Sequence, residues 1–168
     1  MSPGRLPLEL PEGSVSTTPW VFSSVSPLMA QMLGPVDASS RDATGRWGEQ
    51  LVATELTRAA AGTPFTIAWL NEKDEIGLPY DIEIRRSCMD APDLLECYVE
   101  VKTTTSQEKR LFEVSPGEID MARREQNRYA IYRVFGAGSE QVSISSLQNP
   151  AAHLGAGGGL TLYMGDGA

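Results

Sequence analysis

Two stretches of alternating character, Tyr80-Asp-Ile-Glu-Ile84 and Cys97-Tyr-Val-Glu-Val-Lys-Thr103, constrain this chain more than any other feature. Successive side chains of a strand point to opposite faces, so each stretch presents one apolar side and one charged side. In the first, Tyr80, Ile82 and Ile84 are expected to face one way and Asp81 and Glu83 the other. In the second, Cys97, Val99 and Val101 share a face, and Tyr98, Glu100 and Lys102 share the opposite one. Two such strands side by side bring Asp81 toward Glu100 and Lys102. Charged pairs on strands more often form a solvated face or an ion pair than a reactive centre, so the surrounding pattern has to decide.

Around these strands the pattern is that of an α/β domain over residues 41–135. Asp42 or Thr44 can cap a helix running to about Ala60, with Gly45, Val52, Leu56 and Ala60 on the face that carries Glu49, which therefore points inward. Phe65, Ile67 and Trp69 alternate with polar or small residues in a strand ending at Asn71. An acidic turn, Glu72-Lys-Asp-Glu75, and Gly77-Leu-Pro79 lead into the first alternating stretch, the proline favouring an extended approach. Asp90-Ala-Pro-Asp93 reads as the turn before the second. Leu111-Phe-Glu-Val114 reads as a further strand. Ser115-Pro-Gly-Glu118 is a helix start, with Ser115 as cap, Pro116 in the first turn and Glu118 closing a capping box. That helix should run to about Arg128, before a strand over Tyr129–Phe135.

The flanks are different. Residues 1–40 are rich in Pro, Ser and Gly with apolar patches at Trp20-Val21-Phe22 and Leu28-Met29, and read as a flexible arm. Residues 136–168 read as a Gly-rich tail with room for one short strand around Gln141–Ile144, because glycine loses much entropy on ordering. The N-terminus shows no secretory signal pattern and no apolar run nears the roughly 18 residues of a membrane span, so an intracellular chain without a membrane segment is expected.

Composition excludes several chemistries. Cys88 and Cys97 are too few for a disulfide framework, and no Cys/His cluster has zinc spacing. Cys97, within an apolar strand, is expected as a small buried hydrophobe. The single histidine, His153, lies in the Gly/Ala-rich tail, leaving serine or cysteine hydrolases without an ordered histidine base. The net charge of −8, from 14 basic and 22 acidic residues, argues against general coating of nucleic acid. It leaves room for a metal-dependent nuclease of modest, salt-sensitive affinity, whose carboxylates surround an ion.

Such a centre needs oxygen ligands and a group to offset charge developing on a phosphate. Asp81 and Glu100 supply the carboxylates, and the Val101 backbone carbonyl offers a neutral ligand from the same strand. Lys102 emerges beside Glu100 to orient hydroxide or neutralise the phosphate, and Glu49 binds a metal-held water or assists a second ion. The expected ion is Mg2+ or Mn2+. Among the basic pairs Arg85-Arg86, Lys109-Arg110 and Arg123-Arg124, the Lys109-Arg110 pair follows the Glu-x-Lys strand by one loop and is the candidate nucleic-acid contact.

Five separated motifs then carry a family resemblance: Trp69-Leu-Asn-Glu72, Gly77-Leu-Pro-Tyr-Asp-Ile82, Val99-Glu-Val-Lys-Thr-Thr104, Phe112-Glu-Val-Ser115 with Glu118, and Tyr129-Ala-Ile-Tyr-Arg-Val134. In this order they resemble the NO VEIN C-terminal domain family, which is found in plants and in many bacterial and phage-defence proteins. That family resembles the PD-(D/E)XK class. The resemblance implies a restriction-endonuclease-like central mixed β-sheet flanked by helices, with the metal site at Asp81, Glu100 and Lys102. Larger members attach this domain to a histidine-kinase-type ATPase or helicase region, and nothing in this chain resembles either. By analogy with plant members the resemblance also implies a nuclear location. Two further readings stand beside the nuclease: a catalytically silent interaction module of a nuclear or chromatin-associated assembly, binding a larger protein partner, and a purely structural salt-bridged fold.

Overall fold

In the computed structural model, which describes residues 20–155, 160 and 161, the elements in chain order are β1 (Val21–Ser24), α1 (Pro27–Leu33), α2 (Arg41–Ala60), β2 (Phe65–Trp69), β3 (Ile82–Cys88), β4 (Ala91–Thr103), α3 (Pro116–Glu125), β5 (Tyr129–Phe135) and β6 (Ser143–Gln148). The strands make one sheet in the order β1-β6-β5-β4-β3-β2. It is mixed: β4 and β5 run parallel, and the other neighbours antiparallel. A parallel pair needs a crossover, which α3 and the loop before it supply. The molecule is thus the expected α/β type.

The alternation of β4 separates two cores. Cys97, Val99 and Val101 join Ile82, Ile84 and the α2 residues Trp47, Leu51, Val52 and Leu56 in the larger one. On the other face Met121 and Ala122 of α3 pack on Tyr129 and Ile131, with Tyr80, Tyr98, Phe112 and Val114 around them. Cys97 is buried as expected, and burial pushes its thiol up to about 12, which keeps it inert.

The starts of α2 and α3 follow cap chemistry. In α3, Ser115 Oγ accepts from Glu118 N at 3.2 Å and Glu118 Oε2 accepts from Ser115 N at 3.1 Å, the expected capping box. In α2 the cap is Ser40, two residues before the expected Asp42 and four before Thr44, with its Oγ accepting from Ala43 N. The helix then comes so close to β4 that a Cβ on Gly48 would lie 1.8 Å from Thr103 Oγ1. Glycine at 48 is therefore required by the approach of helix to strand, one residue before Glu49.

Further expectations change: the turn expected at Asp90–Asp93 falls at Met89-Asp90, and β4 already begins at Ala91. Residues 111–114 form no strand; their alternation is real, with Phe112 and Val114 half-buried, but the Lys109 and Leu111 carbonyls accept from the Arg133 guanidinium instead of a neighbouring strand. The arm over residues 1–40 is ordered from Trp20 onward: β1 pairs with β6, and Trp47 Nε1 donates to the Gly34 carbonyl after α1. Residues 1–19 lie outside the described residues. The sheet also continues past 135, since β6 pairs along β5 and buries Ile144 and Leu147, so the short strand expected near Gln141–Ile144 lies at Ser143–Gln148. Gly136 and Gly138, at φ +68° and +76°, serve the turn between them, where residues with a Cβ would be strained. The rest of the Gly-rich tail, residues 156–159 and 162–168, lies outside the described residues.

Candidate functional site

The site is made where the β3–β4 pairing breaks. The register sets Ile82 opposite Val99, yet the Asp81 N–H also donates to the Val99 carbonyl at 2.9 Å. Two residues thus face one, the count of a β-bulge, and a bulge re-aims the side chains around it. Strict alternation would put Tyr80 on the same face as Ile82. Instead Tyr80 packs against Tyr98, ring centroids 4.5 Å apart and planes tilted by 56°, in the second core, while Ile82 lies in the first. Asp81 is turned into the gap between the strands, where Oδ2 accepts the Val101 N–H at 2.7 Å.

The β3–β4 pairing starts at Ile82↔Val99; continued upstream from the Asp81–Val99 bond, a ladder would set Val101 opposite Pro79. Proline has no N–H to give the Val101 carbonyl. Its own carbonyl accepts from the Tyr129 hydroxyl at 2.8 Å and is taken from the ladder as well.

Glu49 joins Asp81 through a residue the sequence reading passed over. Asn71, only 2% exposed, donates from Nδ2 to Asp81 Oδ1 at 2.9 Å and to Glu49 Oε2 at 3.2 Å. Trp69 Nε1 adds a third donor, to Glu49 Oε2 at 2.9 Å. The inward pointing expected of Glu49 is observed: it is buried at the foot of β2. The signal for Asn71 was present in outline, as a buried-strand pattern ending on an amide, but nothing in it named both carboxylates.

Glu100 and Lys102 meet on the α3 side. Lys102 Nζ lies 2.8 Å from Glu100 Oε1 and 2.9 Å from Glu118 Oε2. Glu118, read from sequence only as a cap, therefore also holds the lysine. Glu83, which shares the expected charged face with Asp81, pairs with Arg85.

Electrostatically the set is short of positive charge. Burial first, then Glu100 and Glu49, raise the Asp81 pKa above the carboxylate range, against the Val101 N–H and Lys102. Burial raises that of Glu100 too, with Lys102 opposing and Glu118 and Glu49 adding to the rise. Lys102 is held protonated: its two glutamates outweigh the burial that would lower it. One ammonium thus faces four carboxylates, two of which burial and mutual repulsion leave poorly ionised.

That donor chemistry, buried oxygens with unbalanced negative charge, suits a hard divalent cation. Among the described residues no three His, Cys, Asp or Glu side chains already form a ligand set of metal dimensions. In this conformation Glu100 is turned to Lys102, and Glu49 to Trp69 and Asn71. Lys109 and Arg110 are exposed, on a loop whose backbone is held by Arg133, the neighbour of Lys102 across the β4–β5 pair.

A mixed α/β sheet with a bulged strand pair and a buried carboxylate–lysine set defines the class structurally. The model of the NO VEIN protein C-terminal family matches residues 48–146, a span that includes Glu49, Asn71, Asp81, Glu100 and Lys102. The chain belongs to this family. It is similar to Protein NO VEIN of Arabidopsis thaliana, 31% identical over 113 residues, covering 67% of this chain and 4% of the relative. It is also similar to Protein NO VEIN-LIKE of Arabidopsis thaliana, 32% identical over 136 residues, covering 81% of this chain and 19% of the relative. The chain thus spans a small part of these relatives. No solved structure matches it.

Proposed function

We propose that this chain is a divalent-metal-dependent nuclease that hydrolyses phosphodiester bonds in nucleic acid, DNA ahead of RNA, on a restriction-endonuclease-like fold of the PD-(D/E)XK type. The observation that supports it is the buried set of Asp81, Glu100 and Glu49 with Lys102 as its cation, assembled where two central strands part. A purely structural role would favour ionised, balanced carboxylates. These are buried with too little positive charge around them, which raises their pKa values above the carboxylate range.

Mg2+ or Mn2+, held by Asp81, Glu100 and the Val101 carbonyl with Glu49 beside them, would supply Lewis acidity and a more acidic water. Asn71 fixes the spacing of Asp81 and Glu49 by donating to both. Lys102, pinned between Glu100 and Glu118, carries its charge to where a phosphate would build up negative charge. Lys109 and Arg110 are the proposed contacts to a flanking phosphate, giving weak, salt-dependent affinity.

The test is calorimetry with Mn2+ alongside a nicking assay on plasmid DNA and on RNA. The wild type should bind the ion and cut, and Asp81→Asn should lose both. A second reading, a silent interaction module on the same fold, draws on the full engagement of Lys102 by two glutamates and on the acidic balance of the chain. Metal binding without cleavage at any salt concentration would favour it.

A further inference from the structure

We infer that Tyr129 is a positioning residue for the Asp81 carboxylate: its hydroxyl holds the Pro79 carbonyl away from β4, so that Asp81 becomes the acceptor for the Val101 N–H. The deduction follows from where each polar group goes. A buried backbone N–H must find an acceptor, and in a continuing antiparallel ladder the one for Val101 would come from the facing backbone. The bond from Asp81 N to Val99 O sets the register in which that facing residue is Pro79. Its carbonyl is instead bound by Tyr129, which reaches across from β5 at 2.8 Å.

Tyr129 is fully buried, so its hydroxyl has one committed geometry. The vacated acceptor position is filled by Asp81 Oδ2 at 2.7 Å. The phenol thus acts through the Pro79–Tyr80 backbone, keeping the strands parted and the carboxylate in the gap. A proline at 79 assists, because it has no N–H to draw the segment back onto the Val101 carbonyl. The two causes, phenol and proline, are separable.

The inference rests on the metal reading for one of its two readouts only. On the full chain, through-hydrogen-bond NMR couplings identify the acceptor of the Val101 amide. In the wild type that coupling should run to the Asp81 side-chain carboxyl carbon. In Tyr129→Phe it should move to the Pro79 carbonyl, and Mn2+ affinity should fall about tenfold, as for loss of a group that orients a ligand. In Pro79→Ala, with the phenol intact, it should stay on Asp81. This variant keeps the question open to decision even where Tyr129→Phe does not fold. Retention of the Asp81 coupling in Tyr129→Phe would overturn the inference, and so would its transfer to residue 79 in Pro79→Ala, which would make proline the cause. A coupling that moves as expected in a protein that binds no Mn2+ would leave the positioning role standing and remove the metal reading.

Discussion

Two buried charged groups sit side by side on the α3 face of the sheet and are treated in opposite ways. Arg133, 3% exposed, has no carboxylate partner among the described residues. Its guanidinium donates to the carbonyls of Lys109 and Leu111 and lies between the rings of Phe112 and Phe135, at 5.3 and 5.2 Å from their centroids. Burial lowers its pKa to about 10, still leaving it charged at neutral pH. One strand away, Glu100 has a lysine beside it and yet is pushed toward the neutral form. The fold meets the cation with two carbonyls and two π faces, leaving its Nε without an acceptor among the described residues, and leaves the carboxylates short of positive charge. Buried charge that the fold satisfies is structural; buried charge it leaves unbalanced marks the place where an external ion is expected.

The comparison breaks most sharply at Lys102. Lys102→Ala should reduce cleavage about a hundredfold to a thousandfold, the usual cost of one preorganised electrostatic group, with Mn2+ affinity largely kept. An active preparation that keeps its rate would owe that activity to another site.

Next in size is the helix contact that carries Glu49 into the set. Gly48→Ala forces a methyl against Thr103 Oγ1, and overpacking of this kind costs about 3 kcal/mol. Urea unfolding should show that loss, and Gly48→Ala combined with Thr103→Ala should recover only part of it, since the Cβ at 103 would still lie 2.8 Å from the new methyl. A single variant as stable as wild type would mean that α2 can shift, and with it Glu49.

Arg133→Met probes the satisfied cation. Two carbonyls lose a charged donor while a buried charge is removed, so the net cost should be about 1–2 kcal/mol. Mn2+ affinity should not change. A large fall in metal affinity would show that the two charged regions are one system.

How much of this was legible depended on whether side chain or backbone set the outcome. Glu49, Asp81, Glu100 and Lys102 could be named because inward carboxylates at period-two and helical spacings stand out against apolar neighbours. The capping box of α3 was equally plain. The bulge at Asp81 was not, since a one-residue shift in register leaves composition and alternation unchanged. Asn71, Tyr129 and Arg133 were missed for a related reason: each acts through a partner more than 20 residues away or through a backbone carbonyl. The strand at 111–114 was over-read, because alternation reports burial and is silent on where the carbonyls bond. β1 and β6 were under-read because short strands rich in serine carry a weak periodic signal.

The dependence of stability on pH bears directly on the carboxylates that are short of positive charge. Free aspartate and glutamate ionise near pH 4, and the unfolded chain releases its protons there. In the folded chain Glu100 holds its proton up to about 7 and Asp81 up to about 8. Between these limits the folded state binds more protons than the unfolded one, so stability falls as pH rises from about 4 to 8. Lys102, raised from its ordinary value, and Arg133, lowered to about 10, both stay protonated across this window and contribute no slope there. The melting temperature should therefore fall steadily between pH 5 and 8. Asp81→Asn should flatten the profile, since the amide still accepts the Val101 N–H and carries no charge to desolvate. Mn2+ at pH 8 should restore the wild type and leave Asp81→Asn unmoved, because a cation that binds the ionised set stabilises only the folded state. A profile that rises with pH over this range would mean that the carboxylates are ionised and paired in the folded chain, and the contrast with Arg133 would disappear.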